Sequence, residues 1–159
     1  MTQYASSALA DSLHIINAKV TYKNAPIHVV EKFTFADINR AYNSIMDKSG
    51  LKECIILQTC NRVEVFGVSR TPNPAKLIQA WASAVNLEES EFQNIVETCS
   101  DKEVTLHLLK LAAGLDSLVI GEDQILGQVK RASEFSRTKR HVGAHLSILI
   151  QRAIKVGSR

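Results

Sequence analysis

The chain has 159 residues, 45% hydrophobic and 22% charged, with a formal net charge of +3. That is enough apolar side chain for one domain with a real core, and it argues against a disordered chain. The longest apolar runs are too short to span a bilayer and no signal segment opens the chain, so a soluble cytoplasmic protein with no membrane partner is expected. The three cysteines, Cys54, Cys60 and Cys99, form no C-x-x-C pair, which speaks against a disulfide framework or a cysteine-rich zinc site.

Ile16, Ala18, Val20 and Tyr22 alternate with Asn17, Lys19 and Thr21, the pattern of a half-buried strand. Thr34 reads as a helix N-cap with Asp37 three residues on, and Ile38, Ala41, Tyr42, Ile45 and Met46 share one face of a helix that Gly50 closes. Strands follow over Cys54 to Thr59 and Arg62 to Val68. Asn73-Pro74 then caps a helix with Leu77, Ile78, Trp81, Ala82 and Val85 inward, and a fourth strand is expected from Phe92 to Thr98. The order is β-α-β-β-α-β, so the fold class is α+β, a ferredoxin-like sandwich. In that arrangement the second and third strands form a hairpin with Cys60 and Asn61 at its exposed tip, a place where chemistry is often put.

Ser100 and Glu103 read as a capping box for a helix with Val104, His107, Leu108, Leu111 and Ala112 on one face, ending at Gly114. From about Asp123 the rest is helical, with Ile125, Val129 and Ala132 on one helix and Leu146, Ile150, Ala153 and Ile154 on another. The last residues, KVGSR, carry no helix stop, and a longer chain is expected. After Gln124 the one acid is Glu134, against Lys130, Arg131, Arg137, Lys139, Arg140, Arg152, Lys155 and Arg159. Such a segment suits a nucleic-acid backbone or a solvated helical face.

Neither Cys60 nor Arg62 serves turn formation, which would favour Asn-Gly or Asp-Gly. Cys60 is either a nucleophile, with Arg62 raising its thiolate fraction, or a small packed hydrophobe. Cys54 and Cys99 lie inside strand runs and are expected to pack. Arg62 suits a two-pronged grip on a carboxylate; otherwise it is solvated or pairs with Glu64. His107 sits on an apolar helix face, where a satisfied core histidine is the plainer reading. The stretch GLDSLVIGEDQILGQVK, Gly114 to Lys130, interleaves Asp116, Ser117, Glu122, Gln124 and Gln128 with apolar residues and reads as a polar-lined pocket wall. Neither G-x-x-x-x-G-K-[ST] nor G-x-G-x-x-G occurs in the chain.

LQTCNRVEVF (Leu57 to Phe66) and GLDSLVIGEDQILGQVK, with the helix bearing His107 between them, closely resemble the glutamyl-tRNA reductase family; NAPIHVVEKFTF is similar to that family's opening segment. The resemblance spans roughly Ile15 to Arg159. It implies that Cys60 attacks glutamyl-tRNA to give a thioester, which NADPH reduces to glutamate-1-semialdehyde for tetrapyrrole synthesis. It implies a glutamate site of Thr59, Asn61, Arg62, Ser117, Glu122, Asp123, Gln124 and Gln128, with His107 at the place of an activity-critical histidine. It further implies residues 1–100 as a ferredoxin-like catalytic subdomain and 101–159 as a helical subdomain completing the pocket. NADPH would be bound by a domain absent from these residues. The full enzyme would be a homodimer, this portion a monomer, and glutamate-1-semialdehyde aminomutase a partner. The chain departs from the family pattern in two places: Tyr22, Lys23, Asn24, Ala25 and Pro26 stand where His-Lys-Thr-Ala-Pro is usual, and Asp123 stands where proline is common. Two other classes fit the same elements. One is a non-catalytic RNA-binding module, for which Phe66 alone of the expected strand aromatics is present; the other is a cysteine-dependent acyl hydrolase using Cys60 and His107.

Overall fold

The computed structural model describes residues 12–115 and 124–157. Alternation along β1 (His14–Thr21) sends Ile16, Ala18 and Val20 to one face of a sheet and Ile15, Asn17, Lys19 and Thr21 to the other. β1 pairs antiparallel with β3 (Arg62–Ser69) and β4 (Glu97–Ser100), and β2 (Glu53–Gln58) pairs antiparallel with β3, in the order β2-β3-β1-β4. This is the expected ferredoxin-like sheet.

Between β1 and β2 run a short helix α1 (Ile27–Val30), a 3-10 turn (Glu31–Phe33) and α2 (Ile38–Ser49); α3 (Ala75–Val85) joins β3 towards β4. Helices α2 and α3 cover one face. Ala18, Val20, Ile56, Val63 and Val65 pack there on Ala41, Ile45, Leu77 and Trp81. Trp81 is the centre of an aromatic cluster, edge-on to Phe33 and Phe92, and its Nε1–H donates to the Phe33 carbonyl at 2.8 Å.

The other face is also covered, by α4 (Lys102–Ala112), α5 (Gln124–Thr138) and α6 (Ala144–Gly157). Ile55, Leu57, Phe66 and Val68 pack on Val104, Leu108, Val129, Leu146 and Ile150. The half-buried first strand of the sequence reading is therefore corrected: Asn17 and Thr21 are as buried as Ile16, because three helices lie over the polar side of the alternation. At the far end α4 and α6 run so close that a Cβ on Gly157 would sit 2.3 Å from the Ala112 carbonyl oxygen.

The edge of β2 is closed by side chains and a loop. The amide of Cys54 donates to the His141 carbonyl and that of Ile56 to the Tyr42 hydroxyl, both at 2.8 Å, and Tyr42 also bonds Ser136 on α5. An edge so occupied is not free to pair with another chain. Burial pushes the Tyr42 phenol up to about 12 and raises the Cys54 thiol too. From the same strand Glu53 reaches across to the start of α6. One carboxylate oxygen accepts from the amides of Gly143 at 2.8 Å and Leu146 at 3.0 Å, the other from that of His145 at 3.3 Å.

Three boundaries move. Asp37, not Thr34, is the N-cap of α2, accepting from the Arg40 amide, while the Thr34 hydroxyl is spent on the Glu31 carbonyl. The fourth strand starts at Glu97, since Glu89–Phe92 forms a 3-10 turn that buries Phe92 under Trp81. Ser100 and Glu103 make no capping box: Ser100 ends β4, and Asp101 stands at the N-cap with its carboxylate drawn to the Ile15 amide and His14. Other ends fall as the sequence indicates. Gly50 closes α2 with a φ of +75°, a left-handed turn that glycine adopts without strain, and Asn73 accepts from the Ala75 amide at the start of α3. No helix among the described residues is long and apolar enough to cross a membrane.

Candidate active site at the hairpin tip

The last pair of the β2–β3 ladder is Gln58 with Val63, and the amide of Thr59 donates to the Arg62 carbonyl at 2.9 Å to close the tip. Inside it, the Asn61 amide donates to the Thr59 hydroxyl at 3.1 Å, and the Asn61 carbonyl accepts from the Tyr22 amide at 2.9 Å. Three hydrogen bonds thus pin Thr59, Cys60 and Asn61 to the ends of three strands. Cys60 is exposed, whereas Cys54 is buried and Cys99 half-buried. Of the three thiols, that at the tip is the most open to solvent.

Alternation then places Arg62 and Glu64 on the face covered by α4, and neither is solvated: Arg62 is 2% exposed and Glu64 0%. The guanidinium donates from Nη1 to Glu64 Oε2 at 2.7 Å, so Arg62 and Glu64 pair as foreseen, but inside the protein. His107 of α4 brings Nε2 to 2.6 Å from Glu64 Oε1, while its ring stacks on Phe66. Asn17 donates from Nδ2 to the same Oε1 at 3.2 Å, while its Oδ1 accepts weakly from the Cys99 thiol. Lys19 lies 3.3 Å, Nζ to Nδ1, from His107. Burial alone would raise the Glu64 carboxyl, but the hydrogen bond from His107 and the Arg62 guanidinium outweigh it and hold it below the ordinary carboxylate range. Glu64 is therefore an anion saturated by donors. Its Oε2 holds one nitrogen of the guanidinium, which also lies 5.9 Å from the centre of the Tyr22 ring. An arginine oriented this way can take a ligand carboxylate without first paying to be ordered.

Gln128 of α5 lies along β2, in a recess of about 290 Å³ that it lines with Ile38, Leu57, Gln58, Arg131 and Phe135. The structure thus assembles Thr59, Cys60, Asn61, Arg62 and His107 around the end of the hairpin, with Gln128 along β2. Ser117, Glu122 and Asp123 lie outside the described residues, as does the side chain of Gln124. Sequence reasoning missed Asn17, Lys19 and the contact of Tyr22. The available signal was the polar series Asn17, Lys19, Thr21, which the β1–β3 register sets against Phe66, Glu64 and Arg62.

A dinucleotide needs a helix N-terminus with open amides for its pyrophosphate. Here the starts of α2, α3, α4 and α6 carry Asp37, Asn73, Asp101 and Glu53, three of them carboxylates that repel phosphate. None of these four helix starts offers a pyrophosphate amides free of a side-chain cap or a neighbouring carboxylate.

The comparisons agree on one family. A family model described as glutamyl-tRNAGlu reductase, N-terminal domain, matches residues 19–159. The glutamyl-tRNA reductase of Cenarchaeum symbiosum is 48% identical over 145 residues, covering 91% of this chain and 35% of that protein. The glutamyl-tRNA reductase of Thermodesulfovibrio yellowstonii is 32% identical over 158 residues, with coverages of 92% and 37%. Among solved structures, the glutamyl-tRNA reductase from Methanopyrus kandleri matches with a TM-score of 0.78 at 28% identity, over 91% of this chain and 33% of that one. The chain spans about a third of the length of these relatives. By these matches, with the ferredoxin-like sheet and its cysteine-tipped hairpin, the chain belongs to the glutamyl-tRNA reductase family and corresponds to its N-terminal domain.

Proposed function

We propose that this chain performs the acyl-transfer half of glutamyl-tRNA reduction. The observation that carries the reading is the exposed thiol of Cys60 on a pinned hairpin tip, two residues before a buried arginine whose guanidinium Glu64 holds in place. The Cys60 thiolate adds to the ester carbonyl carbon of glutamyl-tRNA, its proton having gone to solvent. The carbon–oxygen bond to the terminal ribose then breaks, that oxygen takes a proton from water, and a glutamyl thioester remains on Cys60. Arg62 grips a glutamate carboxylate, with Thr59, Asn61 and Gln128 around it and Ser117, Glu122, Asp123 and Gln124 completing the pocket from residues 101–159. In the family's overall activity NADPH supplies the hydride that converts such a thioester to glutamate-1-semialdehyde. No hydride step is assigned to the residues of this chain.

The tRNA body has a matching surface. Lys130, Arg131 and Arg137 on α5, Lys139 and Arg140 after it, and Arg152 and Lys155 on α6 are all exposed. Binding through them weakens steeply with salt as counterions are released. The sheet face that an RNA-recognition motif leaves open for bases is here covered by α4, α5 and α6 with Phe66 buried, which disfavours the non-catalytic RNA-binding reading.

The test is incubation with glutamyl-tRNA followed by mass spectrometry, with free glutamate and semialdehyde measured separately in the presence of NADPH. A glutamyl adduct on Cys60, with slow release of free glutamate and no aldehyde, is expected. An adduct on Cys54 or Cys99 removes the assignment of the nucleophile. Rapid hydrolysis with no trappable adduct favours the acyl hydrolase.

A further inference from the structure

The contacts of His107 fix what that residue can do. Glu64 is ionised and already accepts from Arg62 at Oε2, so the 2.6 Å contact at Oε1 requires a proton on His107 Nε2. The other ring nitrogen faces Lys19. An ammonium has three donors and no acceptor, so at 3.3 Å the hydrogen bond runs from Lys19 Nζ to a lone pair on Nδ1. One tautomer satisfies both contacts, Nε2–H with Nδ1 bare.

We propose that Lys19 is a positioning residue for the acyl-transfer site, holding His107 in the Nε2–H tautomer so that His107 and Arg62 together clamp Glu64. The inference rests on the acyl-transfer reading for its consequence, although its geometry stands alone. Lys19 enters from β1, where it pairs directly across from Glu64 in the β1–β3 register. The line of contacts runs Lys19, His107, Glu64, Arg62, from a half-buried cation to a wholly buried anion and on to the guanidinium that meets the substrate carboxylate. With the Nε2 proton given to Glu64 and the Nδ1 lone pair to Lys19, His107 has neither nitrogen disposed to take the Cys60 proton. Its place in the reaction is to orient, through Glu64, the arginine that receives the substrate. A reversed tautomer would set a lone pair against a carboxylate oxygen, and Glu64 would lose a donor and its hold on one side.

The experiment labels the histidine ring nitrogens with nitrogen-15 and records long-range proton–nitrogen correlations for the wild-type protein, Lys19→Met and Lys19→Arg. Glutamyl transfer to Cys60 is followed in parallel. In wild type, His107 shows a protonated Nε2 and a bare, hydrogen-bonded Nδ1. Lys19→Met shifts the Nδ1 resonance and lowers acyl transfer on the order of tenfold, towards the lower end of what one lost charge-assisted hydrogen bond costs. The loss falls mainly in KM, and Lys19→Arg restores both readouts. A protonated Nδ1 in wild type, or ring nitrogens unmoved by Lys19→Met, overturns the proposal. So does a moved ring with unchanged transfer, which removes the positioning role. A Cys60→Ser control separates the two readings: if it still acylates, the acyl-transfer proposal falls while the ring assignment is judged by its own spectra.

Discussion

The two faces of the sheet are made by the same strands and have opposite tasks. Beneath α2 and α3, Ala18, Val20, Val63 and Val65 meet an aromatic cluster around Trp81. Beneath α4, α5 and α6 the face is apolar around Val68, Leu108 and Leu146 but turns polar towards the hairpin tip, where Asn17, Arg62, Glu64 and His107 are buried together. A period of two residues achieves this separation. Val63 and Val65 hold the fold; Arg62 and Glu64, interleaved with them, hold the site. The chemistry can be altered on one set without emptying the other.

Three substitutions test that separation, ranked by their effect on stability. Trp81→Ala should be the most damaging, about 3–5 kcal/mol for a large aromatic removed from a packed core, read from denaturant or thermal unfolding. Glu64→Gln comes next, at roughly 2–3 kcal/mol, because Arg62 is left buried beside a neutral amide. It also carries a pH signature. The folded carboxyl titrates below its ordinary value of 4.5, so its contribution is complete above that pH and is lost as pH falls through the folded value. Glu64→Gln should therefore flatten the acid limb of the stability profile, and an unchanged limb would show that Glu64 is not an anion in the folded state. Cys60→Ser is the smallest change, within about 0.5 kcal/mol at an exposed tip, yet it abolishes glutamyl transfer. If Cys60→Ser destabilised as much as Glu64→Gln, the tip would belong to the core after all.

The element order was legible because helix and strand periods are written locally, as in Ile38, Ala41, Tyr42 and Ile45 or in Leu77 and Trp81. The placing of Cys60 at a tip followed from the same patterns. What failed was long-range. Ser100 looked like a cap, but the start of α4 is shaped by Asp101 reaching His14 and Ile15, far back in the chain. Asn17 and Lys19 read as a solvent face because alternation cannot tell water from a buried polar layer, and the cover comes from helices beginning at Lys102. Arg62 was seen either as a substrate grip or as a partner of Glu64. The structure keeps the pair and buries it.

Glu53 belongs to β2 but completes α6, 90 residues away from Gly143. Unwinding the first turn of α6 alone would leave a buried carboxylate without its three amide donors, and peeling β2 alone would uncap the helix. Neither can fray by itself. The amide hydrogens of Gly143, His145 and Leu146 should consequently exchange with deuterated solvent only in concert with those of the sheet edge, although the backbone around Gly143 and His145 is exposed. A surface turn that would ordinarily exchange within moments is thereby slowed to the opening rate of a strand.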